Sequence, residues 1–263
     1  MASIKTSEDL LSYNSRAWDG LVDRGNRWTR PVTAEEIRRA KDGDWQIILT
    51  PAKPVPREWL GKLQERETLC LAGGGGQQGV ILAAAGAKVI VLDNSEKQLQ
   101  QDQNVATRED LSIRTIKGDM ANLRAFEDQC FDLIVHPCSN SFAPSVLPVW
   151  KEAYRVLRPG GVLLSGFCNP LLFIFDHNAS LRGELSVRHT IPYSDLKQLT
   201  ESEQNELMDQ GEPFCFGHTL QDQIGGQLDA GFSITGFYED YWNSDQEPID
   251  RHIASFMATR AVK

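Results

Sequence analysis

Four consecutive glycines, Gly73–Gly76, separate the short apolar run Leu69-Cys-Leu71 from the apolar segment Val80–Ala85. Residues without a Cβ let the main chain pass close to a ligand, and the start of a helix offers free N–H groups and a positive dipole end. A run of glycines also weakens a chain entropically, so it calls for a reason. The spacing Gly74-x-Gly76-x-x-Gly79 satisfies the fingerprint of a dinucleotide loop, and Asp93 lies near the distance expected of a ribose-binding acid. Taken alone, the pattern equally describes a tight strand-to-helix turn.

The surrounding rhythm narrows the choice. Lys88–Leu92 reads as a second strand ending at Asp93, Ser95–Arg108 as a helix, and Ile113–Ile116 as a third strand running into Gly118-Asp-Met120. Phe131–Val135 is a fourth strand, Val149–Leu157 a helix, and Pro159-Gly-Gly161 a turn into a fifth strand, Val162–Ser165. Strands and helices at such short intervals predict a doubly wound α/β sheet covered on both faces. A helix over Leu220–Ala230 and strands over Ser233–Tyr238 and Ile253–Arg260 follow. Residues 166–217 are too irregular for another strand–helix unit. The first 65 residues read as helices and a linker: an amphipathic helix over Asp9–Trp18, a second opened by the capping box Thr33/Glu36, and a connector marked by Pro51, Pro54 and Pro56.

A net charge of −9 argues against a broad electrostatic footprint for nucleic acid or an anionic membrane. No secretory pattern opens the chain, and no run approaches the roughly 20 apolar residues of a spanning helix. The five cysteines lack zinc-ligand spacing, so no metal is expected and a reduced cytoplasmic protein fits them.

The order of these pieces resembles the class I methyltransferases that use S-adenosylmethionine (SAM), particularly the ubiquinone/menaquinone-methyltransferase-like group. The matching residues are Leu69–Gly76, Asp93, Gly118-Asp119-Met120, Phe131-Asp-Leu-Ile-Val135 and Arg155-Val-Leu-Arg-Pro-Gly-Gly161. The resemblance implies a seven-stranded Rossmann-like sheet of order 3-2-1-4-5-7-6 with its last strand antiparallel. It places SAM across the carboxyl ends of strands one to four. The cofactor set it implies is Ala72, Gly73, Gly74, Gly76, Gln77, Asp93, Asn94, Gln98, Gly118, Asp119, Met120 and His136. Asp93 would accept from the ribose hydroxyls, Asp119 from the adenine amine, and Met120 would meet the ring. Two positions depart from the family: Cys70 stands where an acid is usual, and Ala72 where a glycine is. Gln77, Gln78 or a group from the N-terminal segment could replace that acid.

His136 falls beside the expected methyl, where it could act as a general base or simply line the pocket. His189 and Tyr193, with Asp195 and His218 nearby, lie in or next to the irregular segment 166–217, expected to form a lid carrying the acceptor site. His136, His189 and Tyr193 are therefore the candidate catalytic residues, and a small molecule is the expected acceptor, with the oligomeric state open. Tyr13, Trp18 and Trp28 could shield the cofactor from the N-terminal side. Two rivals stand beside this reading. Tyr193-Ser-Asp-Leu-Lys197 after Ser180 fits a short-chain NAD(P)-dependent reductase, and the missing acid at Cys70 fits a SAM-binding protein without catalysis.

Overall fold

The computed structural model describes residues 4–242 and 247–263. Its centre is a seven-stranded sheet built from β1 (Glu67–Leu71), β2 (Lys88–Asp93), β3 (Ile113–Lys117), β4 (Phe131–His136), β5 (Leu157–Cys168), β6 (Ser233–Asp240) and β7 (Phe256–Val262). The order across the sheet is β3-β2-β1-β4-β5-β7-β6, as the sequence led us to expect. The first five strands are parallel, and β7 runs antiparallel to both of its neighbours.

The apolar runs explain why both faces are covered. On β1, Leu69 and Leu71 point into one core with Leu92, Ile134, Trp150 and Leu163. Cys70 points the other way, among Leu82, Val89, Val91, Leu133 and Val135. Successive strand residues face opposite sides, so an unbroken apolar strand needs a helical layer on each.

In chain order the main helices are α1 (Ser7–Asp23), α2 (Ala34–Lys41), α3 (Gln78–Ala84), α4 (Glu96–Glu109), α5 (Leu147–Val156) and α6 (Glu201–Gln210). α2 starts at the expected Thr33/Glu36 capping box. α1 is longer than its apolar spacing suggested, because Thr6 and Asp9 close a capping box of their own. The Arg158-Pro-Gly-Gly161 stretch is a second departure. It is not a turn ahead of β5 but lies inside it, at an irregularity in the β4–β5 register between Phe131 and Leu133. Gly160 there takes φ = 78°, which a side chain would resist. β7 also begins later than Ile253, since Pro248–Arg251 forms a 3-10 turn first.

α1 lies over the carboxyl edge of the sheet and is fastened there by buried polar groups. Asn94 Nδ2 donates to the Leu11 carbonyl at 2.8 Å, and Ser15 Oγ donates to the Asn94 carbonyl at 2.7 Å. Asn14 donates to the carbonyls of Phe142 and Phe214, and its Oδ1 accepts from the Phe214 amide at 2.9 Å. One helix thus ties the loop after β2, the loop after β4 and the end of segment 166–217. That segment holds α6 and a two-residue ribbon in which Tyr193–Ser194 pairs with Phe216–Gly217.

Candidate active site

A cavity of about 310 Å³ opens at the carboxyl edge of the sheet, under α1 and beside the glycine loop. Its floor is Ala72, Gly73 and Gly74, and its first wall is Asp93, Gln98 and Met120. The glycines are required by crowding. A Cβ on Gly74 would lie 2.9 Å from Gln98 Cβ and 3.1 Å from Asp93 Oδ2. Ala72, at the position the family fills with glycine, takes φ = 47°, a left-handed conformation that a Cβ makes costly.

Asp93 is 9% exposed. Its Oδ2 accepts from the Gly74 amide at 3.0 Å and its Oδ1 from the Ser95 amide at 2.9 Å. Burial raises its pKa, opposed by those amides. Ser95 in turn caps α4, accepting from the Gln98 amide at 3.1 Å. Asp93 therefore locks the loop to the helix while still facing the cavity, where further lone pairs could receive ribose hydroxyls. The Gln98 side chain lines the cavity and its Oε1 has no partner within the protein, a polar atom that awaits a donor. Met120 offers its thioether to a ring. These groups fit an adenosyl cofactor.

The missing acid at Cys70 has a counterpart elsewhere. Cys70 is a core thiol whose pKa burial pushes up. Asp102 of α4 is completely buried nearby: a Cβ on Gly79 would sit 3.5 Å from Asp102 Oδ1 and 3.6 Å from Cys70 Sγ. Asp102 Oδ2 accepts from the Gly75 amide at 3.0 Å, and Gly76 also donates to this carboxyl. Burial pushes its pKa up to about 8. Gln77 and Gln78 line the cavity and also reach away from it. Gln77 Nε2 donates to the Arg30 carbonyl at 3.0 Å and Gln78 Nε2 to the Ile48 carbonyl at 3.1 Å, tethering the N-terminal segment.

Gly76, Asn94, Gly118 and Asp119 of the expected cofactor set are not among the residues that line the cavity. Gly76 packs on Pro31 and α4, Gly118 on Leu92, and Asn94 holds α1. Asp119 Oδ1 caps its own loop by accepting from the Ala121 amide at 2.9 Å.

His136, His189 and Tyr193 do not lie on the cavity surface. His136 is wholly buried at the end of β4, with Nδ1 2.8 Å from the Leu71 carbonyl and Nε2 2.6 Å from Asn140 Oδ1. Burial lowers its pKa, opposed by those two hydrogen bonds. Both ring nitrogens are thus engaged, one by the Leu71 carbonyl and the other by the Asn140 side chain, whose Nδ2 donates to Gln223 Oε1 at 3.0 Å. This histidine joins β4 to the cofactor strand and has no nitrogen left for an acceptor. Tyr193 is buried, stacks on Phe173 at 5.7 Å and donates its hydroxyl to Asp195 Oδ1 at 2.7 Å. His189 meets Tyr193 edge-on at 5.0 Å. Both back the cavity wall through Phe173. His218 Nε2 binds the Asn140 carbonyl at 3.0 Å. With its Tyr193 hydroxyl engaged and Lys197 exposed, the Tyr-x-x-x-Lys pattern is not a reductase site.

The roof comes from both ends of the chain. Trp18 of α1 meets Phe142 edge-on at 5.0 Å. Trp28 and Trp242 approach to 5.6 Å, with the Arg27 guanidinium 4.2 Å and 4.6 Å from their rings. Tyr13 instead packs against Phe214 and donates to the Glu212 carbonyl, outside the cavity. Phe142, Trp242 and Phe256 were not legible as site residues. No local motif marks them, and only the sheet order brings them together.

Comparison with known proteins agrees with this architecture. A methyltransferase domain family matches residues 69–165. YbaJ, an uncharacterized methyltransferase of Bacillus subtilis (strain 168), is 51% identical over 97% of this chain and 98% of its own length. The chain belongs to this methyltransferase family, with a class I fold. A sterol 24-C-methyltransferase of Aspergillus fumigatus is 37% identical over 29% of this methyltransferase and 20% of its own chain. The crystal structure of a SAM-dependent methyltransferase from Mesorhizobium loti superposes with a TM-score of 0.60 at 17% identity, covering 79% of this chain and 95% of that one, a likeness of fold. Among the described residues, no helix is long and apolar enough to cross a membrane.

Proposed function

We propose that this methyltransferase binds SAM in the carboxyl-edge cavity and passes its methyl group to a small-molecule acceptor. The observation that carries the reading is a cavity lined by Asp93, Gln98 and the glycine loop over the first strands and by mostly apolar side chains beyond them. When bound, SAM supplies an electrophilic methyl on a sulfonium. Asp93 receives the ribose, Met120 covers the adenine ring, and Gly73 and Gly74 let the main chain approach closely. α1 with residues 1–65 acts as the cap over the cofactor domain 66–263, and segment 166–217 acts as the lid. It reaches the cavity through Cys168, Phe173 and Cys215. The protein's contribution is alignment and exclusion of water. Its five free thiols suit the reducing cytoplasm.

Calorimetry with SAM, S-adenosylhomocysteine, NAD and NADP tests this directly. Micromolar binding of the first two and none of the nicotinamides is expected. Asp93→Ala is expected to weaken SAM at least about tenfold, since hydrogen bonds to a charged group are worth about 1.5–3 kcal/mol each. Tighter nicotinamide binding, or a SAM affinity indifferent to Asp93, would overturn the reading.

A further inference from the structure

The sheet order divides the cavity lining into two chemistries. Over β1, β2 and β3 stand the glycine loop, Asp93, Gln98 and Met120, which the reading above assigns to the cofactor. Over β4, β5 and β7 stand Cys138, which follows β4, Cys168, the last residue of β5, and Phe256, the first of β7. Cys168 and Phe256 are direct register partners, which places them side by side at the same edge. Ser139, Ser141, Phe142, Phe173 and Cys215 also line this half.

We infer that the methyl acceptor is an uncharged, flat, apolar molecule held in this second half. The inference rests on the methyltransferase reading and deepens it. Among the described residues, Asp93 is the only Asp, Glu, Lys, Arg or His that lines the cavity, and it belongs to the cofactor half. A carboxylate or phosphate received here would lose its hydration with no cation to pair with, which costs several kcal/mol. It would also meet Cys168. Burial keeps the Cys138 thiol protonated, and it donates toward Cys168, which Ser141 Oγ also approaches at 3.4 Å. These donors hold Cys168 below the ordinary thiol range and are turned to its sulfur rather than to an anion. A cationic acceptor would share the cavity with the donor's sulfonium and be repelled in turn.

The rings are held rigidly enough to select shape. Phe173 is fixed between Tyr193 and Gly217, where a Cβ would come within 2.7 Å of the Phe173 ring. Phe256 stands against Trp242 at 5.1 Å and Phe142 against Trp18 at 5.0 Å. Ring faces so fixed receive another ring with little loss of side-chain freedom. The reacting atom follows from the same lining. No histidine or carboxylate of this half takes a proton beforehand, so the acceptor attacks with a lone pair it already carries. That pair forms the new bond to carbon, the S–CH3 pair stays on sulfur, and any proton then released leaves to water. Neutral amine nitrogen and neutral sulfur meet this condition.

The test uses the full chain saturated with S-adenosylhomocysteine and three probes of one shape: 2-naphthol, 2-naphthoate and 2-naphthylmethylammonium. Calorimetry is expected to show 2-naphthol binding at least about tenfold more tightly than either ion. Phe173→Asp is expected to turn the preference toward 2-naphthylmethylammonium over 2-naphthol, with 2-naphthoate bound more weakly still. Cofactor binding together with equal or tighter binding of an ion, or with no probe binding at all, overturns the inference alone. Failure to bind S-adenosylhomocysteine overturns the methyltransferase site and the inference with it.

Discussion

Asp102 Oδ2 accepts the Gly75 amide at 3.0 Å from beneath the glycine loop, on the side where Cys70 has no charge to offer. A buried carboxyl beneath the loop is thus supplied here by the helix after the second strand. Asp102→Ala is expected to lower S-adenosylhomocysteine affinity about tenfold, because two loop amides lose a buried acceptor. Cys70→Asp in an Asp102→Asn background is expected to recover part of that affinity, since only one buried carboxyl then remains. Circular dichroism checks that the fold persists and calorimetry reads the affinity. No recovery would show that the two positions are not equivalent.

The same group makes stability depend on pH. Its folded pKa of about 8 lies above the ordinary carboxylate value of 3.8, so the folded state holds a proton that the unfolded chain has released. The stabilising contribution is complete below about pH 4 and is lost as pH rises toward 8. Asp93, also raised by burial, acts with the same sign. Thermal unfolding between pH 4 and 8 is expected to show the wild type losing ground to Asp102→Asn as pH rises, with a residual slope from Asp93. Parallel curves would mean that Asp102 is ionised throughout.

Ala72 holds a left-handed conformation at a turn where the family uses glycine. Ala72→Gly is expected to raise stability by about 0.5–1 kcal/mol, the relief of the Cβ clash less the added freedom of the unfolded chain. Denaturant unfolding reads the change, and cofactor affinity is expected to stay within about twofold.

The cap and lid are expected to close on the cofactor. Amide hydrogen exchange within residues 166–217 and around Trp18 and Trp28 is expected to slow when S-adenosylhomocysteine binds, with β3 and β5 little changed. Indifferent exchange in both segments would remove the lid assignment.

The sheet was readable because β1, β2 and β4 are apolar runs with punctuation, and because Arg155–Gly161 carries a specific resemblance. Even there, the glycines were read as a turn although they form an irregularity inside β5. Within the site, Asp93 and the glycine loop were legible from spacing. Asp102 left a signal that was passed over: an acid in line with Leu99, Val105 and Ala106 on the buried stripe of its helix. His136 misled for the opposite reason, since its position promised chemistry while burial and two partners fix it in place. The acceptor wall was out of reach, being assembled from Phe142, Phe173 and Phe256, whose meeting depends on topology.

Asn14 and Phe214 hold one another across 200 residues of sequence, and Trp28 and Trp242 roof the same cavity from similarly distant stretches. Biosynthesis therefore delivers the pieces in an awkward order. The glycine loop leaves the ribosome early, but its cover waits for a tryptophan made near the end, and long loops close slowly. A nascent chain can lay down β1–β5 well before it can enclose anything above them. Until its last strands emerge, this protein is an open sheet edge with a half-built pocket, the stage at which a chaperone's protection matters most.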